Sequence, residues 1–268
     1  IDPALGVLCA VSGGCDSVVL LHAVKAAGYR TGAAHFDHHT RDGASAEDAQ
    51  FVCQLALSQG TAFIGGGWDA AAEQRPEGNF EAAARKARYE FLFEVALDRD
   101  YAAVATGHHA DDQAETVLMR LLRGTAMQGI EGIQAVRRDG LAPIVRPLLP
   151  CTRQELESYA HEADLAWRTD VSNADTGFKR NRIRHELLPH LRDTYNPQIG
   201  RALSRLAAVA SSENAYMDAE TRRLQEHVFL RPGLLDRDQF TQAPLALQRR
   251  LLARLCHENQ VKSGFERI

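Results

Sequence analysis

The chain has 268 residues, 45% hydrophobic and 25% charged, with a formal net charge of −4. That length suits one large domain or two modest ones around a sizeable core, and the charge balance excludes a generally basic nucleic-acid binder, so any such surface must be local. Five cysteines, Cys9, Cys15, Cys53, Cys151 and Cys256, form no C-x-x-C pair, which argues against a disulfide framework or a thiolate zinc site and predicts a reducing, cytoplasmic setting. No apolar run approaches the roughly 20 residues of a membrane helix.

The first half alternates short apolar runs with segments of helical period. Strands are expected at Leu5–Val11, Thr31–Phe36, Thr61–Ile64 and Ala102–Thr106. Helices are expected at Asp16–Ala27, Ala44–Ser58, Phe80–Leu97 and Asp111–Leu122. Strands separated by helices of this length predict βαβ units and an open parallel sheet covered on both faces, an α/β fold. The stretch from Gly65 to Asn79, rich in Gly, Pro and charge, reads as a loop. Beyond Pro143 the texture changes. Thr152-Arg-Gln-Glu155 is a capping box opening a helix to about Glu162. Residues 167–178 read as loop, and helix resumes near Arg180. Asn196-Pro197 interrupts it, and Gln198 to about His227 reads as one long helix. The expected boundary is near 193–197, with 1–193 an α/β domain and 194–268 a smaller all-helical domain that need not end at Ile268.

The first strand runs into Ser12-Gly13-Gly14-Cys15-Asp16-Ser17. In an open α/β sheet, ligands sit beyond the carboxyl ends of the strands. The two glycines let the backbone approach an anion, successive N–H groups form a nest, and the helix N-terminus adds partial positive charge. Ser12 and Ser17 can donate hydroxyl bonds. A Walker A loop would place a lysine on the phosphates; here Asp16 stands in the loop instead. It can cap the helix, orient the loop, or hold Mg²⁺ through water. The bland alternative is a glycine turn with an N-capping aspartate.

His35-Phe-Asp37-His-His-Thr-Arg41 follows the second strand, a position suited to a nucleotide's base and ribose. His108, Asp112 and Glu115 share one helix face at 0, +4 and +7. Two carboxylates and an imidazole there suit a hard cation such as Mg²⁺, and a polar first turn is the alternative. Zinc is not expected, because adjacent His108 and His109 cannot both face one ion. Glu81, Arg85 and Arg88 fall on one face of the third helix. They are either a surface ion pair or a charge-neutralising site.

The string S-G-G-x-D-S after a first strand resembles the signature of the N-type ATP pyrophosphatases, or PP-loop superfamily. Those enzymes cleave ATP between the α- and β-phosphates. Four further blocks, EAAARKARYEFL (81–92), ATGHHADDQAETVLMRLLRG (105–124), RPLLPCTRQELESYA (146–160) and WRTDVSNADTGFKRNRIRHELLPHL (167–191), are similar to the tRNA(Ile)-lysidine synthetase family in order and spacing. The likeness covers roughly residues 7–215 and implies a Rossmann-like PP-loop ATPase domain. Two departures stand out. No glycine follows Thr125, and the loop from Trp68 to Asn79 has no counterpart.

The resemblance implies a carbon–nitrogen ligase. ATP would adenylate C2 of the wobble cytidine in tRNA(Ile) with a CAU anticodon, and free L-lysine would displace AMP. It implies Ser12 to Ser17, His35 and Asp37 at ATP. His108, Asp112, Glu115, Arg85 and Arg88 would serve catalysis, with Asp112 and Glu115 on Mg²⁺. A homodimer is compatible with it. The alternatives are a PP-loop tRNA thiolase, which commonly uses cysteine pairs absent here, and a nucleotide- or RNA-binding module without turnover.

Residues 178–205 carry Lys179, Arg180, Arg182, Arg184, Arg192, Arg201 and Arg205 against only Glu186 and Asp193. A local basic patch of this kind is what backbone phosphate needs, so these seven are expected to bind tRNA. Arg222, Arg223, Arg249, Arg250 and Arg254 add to it. Unstacked anticodon bases call for aromatic partners, with His38, His39, Phe178 and Tyr195 as candidates.

Overall fold

The structure, a computed structural model, describes residues 3–37, 44–68, 80–138, 140–168, 179–231, 234–259 and 261. His38, His39 and Phe178 lie outside the described residues, as do the side chains of Glu81 and Lys179.

Strand β1 (Val7–Ala10) leads into α1 (Cys15–Ala26), followed by β2 (Thr31–Asp37), α2 (Ala44–Ser58), β3 (Ala62–Gly67), α3 (Phe80–Asp98), β4 (Ala103–Ala105) and α4 (Ala110–Leu122). Two short strands, β5 (Val136–Arg137) and β6 (Ile144–Val145), follow a one-turn helix α5 (Met127–Ile130). The sheet order is β3-β2-β1-β4-β6-β5. Every pairing is parallel except that of β5 with β6. Gly65, Gly66 and Gly67 belong to β3, paired with His35, Phe36 and Asp37, which corrects their reading as loop. Phe91 packs where a Cβ of Gly66 would stand, so glycine here makes room for an aromatic ring rather than a turn.

The alternation along β1 sorts the core into two layers. Val7, Cys9 and Val11 face a cluster with Leu20, Leu21, Val52, Ala56, Leu156 and Ala160. Leu8 faces Tyr89, Leu92, Phe93, Ala96 and Ile144. Helices α1, α2 and α6 (Arg153–Glu162) thus cover one face of the sheet and α3 the other. Burying each Leu contributes about 1.5–3 kcal/mol over leaving it in water. The capping box forms: Thr152 Oγ1 accepts from Glu155 N at 3.2 Å, and Thr152 N donates to Glu155 Oε2 at 2.7 Å.

Helix α7 (Lys179–Arg182) runs through a π-helical turn, Ile183–Leu187, into α8 (Leu188–Thr194). Pro189 has no N–H to offer the preceding turn, and a π-bulge is one way a helix absorbs that loss. The long helix α9 (Ile199–Val228) follows, then the hairpin β7 (Phe229–Arg231) and β8 (Leu234–Leu235), α10 (Arg237–Gln242) and α11 (Leu245–Glu258). Among the described residues no helix is long and apolar enough to cross a membrane.

The chain divides into two compact units, Ile1–Leu122 with Gly132–Ser204, and Arg123–Glu131 with Arg205–Ile268. Asn196-Pro197 does end α8, as expected, yet the first turns of α9 still belong to the first unit; Ser204 Oγ donates to the Ala110 carbonyl at 3.5 Å. In the second unit Asn214 Nδ2 donates to the Met127 carbonyl at 3.1 Å. Arg250 binds Asn214 Oδ1 at 2.6 Å and Asp218 at 2.7 Å. Arg223 pairs with Glu220, and Arg254 with Glu258. These three arginines, expected to extend the basic surface, are tied up within their own unit.

Candidate active site

The strand order reverses direction between β1 and β4, and the crevice at such a switch point is where open α/β sheets bind ligands. The Ser12–Ser17 loop leaves β1 on one side of it. Gly13 has φ +96°, open to glycine and rarely to other residues. The Ser17 hydroxyl holds the loop's curve. It accepts from Ser12 N and Gly13 N, both at 3.2 Å, and donates to the Gly14 carbonyl at 2.8 Å. The N–H groups of Cys15 and Asp16, in the first turn of α1, have no intrahelical partner and remain as anion donors. Cys15 contributes only backbone, since its side chain is in the core and burial pushes its thiol up to about 11.

Asp16 turns away from the anion nest. Its Oδ2 accepts from Arg153 Nη1 at 2.7 Å and lies 3.7 Å from His109 Nε2. Burial raises its pKa, and the His109 and Arg153 charges oppose that rise. His109 is buried among three carboxylates, 3.6 Å from Asp111, 3.4 Å from Asp112 and 3.7 Å from Asp16. Burial opposes its charge, but Asp111, Asp112 and Asp16 outweigh burial and raise its pKa. Arg153 N also donates to Asp111 at 2.8 Å. One buried imidazole and one arginine therefore link the loop after β1 to the start of α4.

His108, the neighbouring histidine, is the opposite case. Burial drives its pKa down to about 4, with Arg146, Arg85 and Arg180 adding to the fall against Asp112, so its ring is neutral at pH 7. Its Nδ1 sits 2.9 Å from Thr106 Oγ1.

Asp112 and Glu115 point together into the crevice, as their spacing predicts. Glu115 is only 1% exposed, and a carboxylate so buried needs partners. It finds Arg180 Nε at 2.7 Å on one oxygen and Arg184 Nε at 2.5 Å on the other. Asp112 Oδ1 takes Arg180 Nη2 at 2.7 Å and Arg184 Nη2 at 3.3 Å, while its Oδ2 caps His109 N at 3.1 Å. Two of the seven residues expected on a tRNA-binding surface are thus inside the crevice. Asp112 and Glu115, the residues expected to hold magnesium, each meet the guanidiniums of Arg180 and Arg184. A cation there would have to displace two guanidiniums, and among the described residues no three His, Cys, Asp or Glu side chains gather as ligands.

The remaining candidates are spread out. His35 is buried, with Nδ1 donating to the Val11 carbonyl at 2.9 Å, and Asp37 ends β2. Arg182 pairs with Glu186 at 3.4 Å on the surface. Arg192 and Arg201 are exposed in the first unit, and Arg205 is exposed in the second. Arg85 and Arg88 lie over the Tyr89 ring, 5.1 and 5.8 Å from its centroid. Sequence reasoning missed His109, Asp111, Arg153 and Arg146. Arg146 directly follows β6, a ligand-edge position, but a two-residue strand offers no periodicity by which sequence could find it.

The model for the PP-loop domain matches residues 2–191. The tRNA(Ile)-lysidine synthase of Chlorobaculum tepidum is 36% identical over 233 residues, 85% of this chain and 68% of that protein. The chain belongs to the tRNA(Ile)-lysidine synthase family of PP-loop proteins. Its relatives of the same name include those of Solibacter usitatus, 40% identical over 248 residues (91% of this chain, 54% of the relative), and Bacillus subtilis, 34% over 279 (97% and 57%). The chain spans about half the length of these last two. Among solved structures, the U34-tRNA thiolase NcsA of Methanococcus maripaludis superposes with a TM-score of 0.59 at 16% identity, covering 75% of this chain and 71% of that one. At that identity the likeness is one of fold.

Proposed function

We propose that this lysidine synthase family member forms lysidine, acting as a carbon–nitrogen ligase on the wobble cytidine of tRNA(Ile) with a CAU anticodon. The single observation that supports this most is the 34–40% identity with tRNA(Ile)-lysidine synthases over 85–97% of the chain, a span that contains the whole crevice. In the first step the cytidine C2 oxygen attacks the α-phosphorus of ATP. A P–O bond forms, the bond to the β-phosphate oxygen breaks, and pyrophosphate leaves. In the second, the neutral ε-amine of lysine attacks C2, the C2–O bond breaks, and AMP leaves; the amine's proton passes to a base or to water.

In this reading the Ser12–Ser17 backbone and the α1 N-terminus hold the departing pyrophosphate, which explains a loop without lysine. His35 and Asp37 lie at the nucleotide. Neutral His108 stands beside the adenylated base as an acceptor or donor without charge. Asp112 and Glu115 orient the incoming lysine, whose ammonium can replace a guanidinium on the same carboxylates. Magnesium accompanies the ATP phosphates rather than these carboxylates. Residues 1–193 carry the catalysis, and residues 194–268 capture tRNA together with surface cations of the first domain such as Arg182 and Arg192; free L-lysine, a homodimer and a cytoplasmic site complete the proposal.

Mass spectrometry of a CAU-anticodon tRNA(Ile), after incubation with the protein, ATP and lysine, tests it. A lysine adduct on the wobble cytidine with AMP and pyrophosphate is expected. ADP and inorganic phosphate, or sulfur in place of lysine, would overturn it.

A further inference from the structure

A second group of cations lies at the same edge of the sheet, beyond β4. Tyr89, only 7% exposed, is ringed by guanidiniums: Arg85 from its own helix at 5.1 Å, Arg88 at 5.8 Å, and Arg137 from β5 at 5.5 Å from the ring centroid. Arg85 Nη2 donates to the Tyr89 hydroxyl at 3.4 Å. Arg146, at the exit of β6, completes the ring. It is 5% exposed, its Nη1 is anchored on the Gln134 carbonyl at 2.5 Å, and its Nε has no hydrogen-bond partner.

Guanidiniums keep their charge at any physiological pH, so holding a buried one, Arg146, beside the half-buried Arg88 and Arg137 and the exposed Arg85 is costly unless something negative joins them. Among the described side chains no carboxylate pairs with Arg88 or Arg146. Burial weakens the hold of Arg146 on its proton most, with Arg137 and Arg85 adding to that, while a hydrogen bond with Tyr89 opposes it. Arg88 is likewise lowered by burial, with Arg85 adding to it. A nine-tenths-buried arginine with an unused Nε–H, set beside three further guanidiniums around one tyrosine ring, is an anion site.

Its place in the sheet selects the anion. The pyrophosphate nest follows β1, and Arg146 follows β6, two strands further along. At about 4.8 Å per strand the two sites are roughly 10 Å apart. His108 lies between them in strand order, at the exit of β4, within the field of Arg146 and Arg85. A base reacting beside His108 would have ATP's departing phosphates on one side and its own backbone on the other.

We propose that Arg85, Arg88, Arg137 and Arg146 around Tyr89 form a pocket for a phosphodiester of the RNA substrate adjoining the reacting nucleotide. This rests on the function proposed above and adds a site to it. The pocket fixes the backbone beside the target base, while the Ser12–Ser17 loop serves the nucleotide.

The test uses an anticodon stem-loop RNA with a neutral methylphosphonate placed, one at a time, at each diester flanking the wobble cytidine. At one of these positions the wild-type protein is expected to lose about tenfold in affinity. Arg146→Gln should lose about tenfold on the unmodified RNA, flatten the log–log salt slope by about one, and show little further loss on that methylphosphonate. ATP affinity, measured separately, should hold within about twofold. Should Arg146→Gln fail to fold, Arg137→Gln carries the same cycle at a half-buried position. Equal methylphosphonate losses in wild type and variant would overturn the pocket while leaving the enzyme reading intact, as would a fall in ATP affinity with an unchanged RNA slope. Failure of the wild-type protein to bind the stem-loop would overturn both.

Discussion

Arg180 and Arg184 share a short stretch of helix with Arg182, yet they do opposite things. The first two, one turn apart, turn inward onto Asp112 and Glu115. Arg182 turns outward to Glu186 and is 67% exposed at its side chain. A basic run is one-dimensional in sequence, and the helix resolves it into two faces. The buried face meets carboxylates that need counter-charge, where each contact is strong. The outer face meets water, where a pair is worth a few tenths of a kcal/mol and is free to exchange for phosphate. One stretch of charge therefore serves the crevice and the surface, in alternation.

The comparison can be broken most forcefully at Glu115. Glu115→Gln removes the charge that two arginines share. It is expected to cost about 3 kcal/mol in urea unfolding, at the lower end for a buried pair because both arginines keep some solvent contact. Turnover should fall with it, and an unchanged unfolding midpoint would show that the pairing is dispensable. The next effect is the contrast itself. Arg184→Ala should lower lysine incorporation roughly 100-fold and leave the salt slope of tRNA binding unchanged. Arg182→Ala should do the reverse, flattening the slope by about one with turnover at saturating tRNA intact. The opposite pattern would erase the division between faces.

The smallest effect concerns His108. Burial holds His108 at about 4, against an ordinary 6.5. Its folded pKa is depressed, so its contribution is complete above pH 6.5 and is lost as pH falls toward 4. The melting temperature of wild type should fall roughly 4–7 °C more than that of His108→Gln between about pH 7 and 5. Parallel curves would mean that the ring titrates as if in water.

Much of this arrangement was legible in the sequence. Helix α2 begins and ends where the periodicity put it, and the capping box at Thr152 specified α6 to within a residue. Asp112 and Glu115 were placed together by helix spacing alone. The misses share a cause. Strands β5 and β6 are two residues each, too short to show a period, so the extension of the sheet and Arg146 at its end stayed hidden. Arg153 reads locally as the first residue of a capped helix, and its bond to Asp16 joins positions 137 apart. His109 was set aside because it cannot face the same way as His108. Facing the other way is what puts it among Asp16, Asp111 and Asp112.

Gly107 brings these halves together. A Cβ added there would stand 3.2 Å from the carbonyl carbon and oxygen of Asp16, backbone that cannot swing aside. The two strand exits can close to this separation because a single methyl is missing between them. Alanine at 107 would act as a wedge, shifting the anion nest away from His108 while every charged group kept its identity. In the proposed reaction, the gap between the nucleotide and its target is thus set by a residue that carries no chemistry of its own.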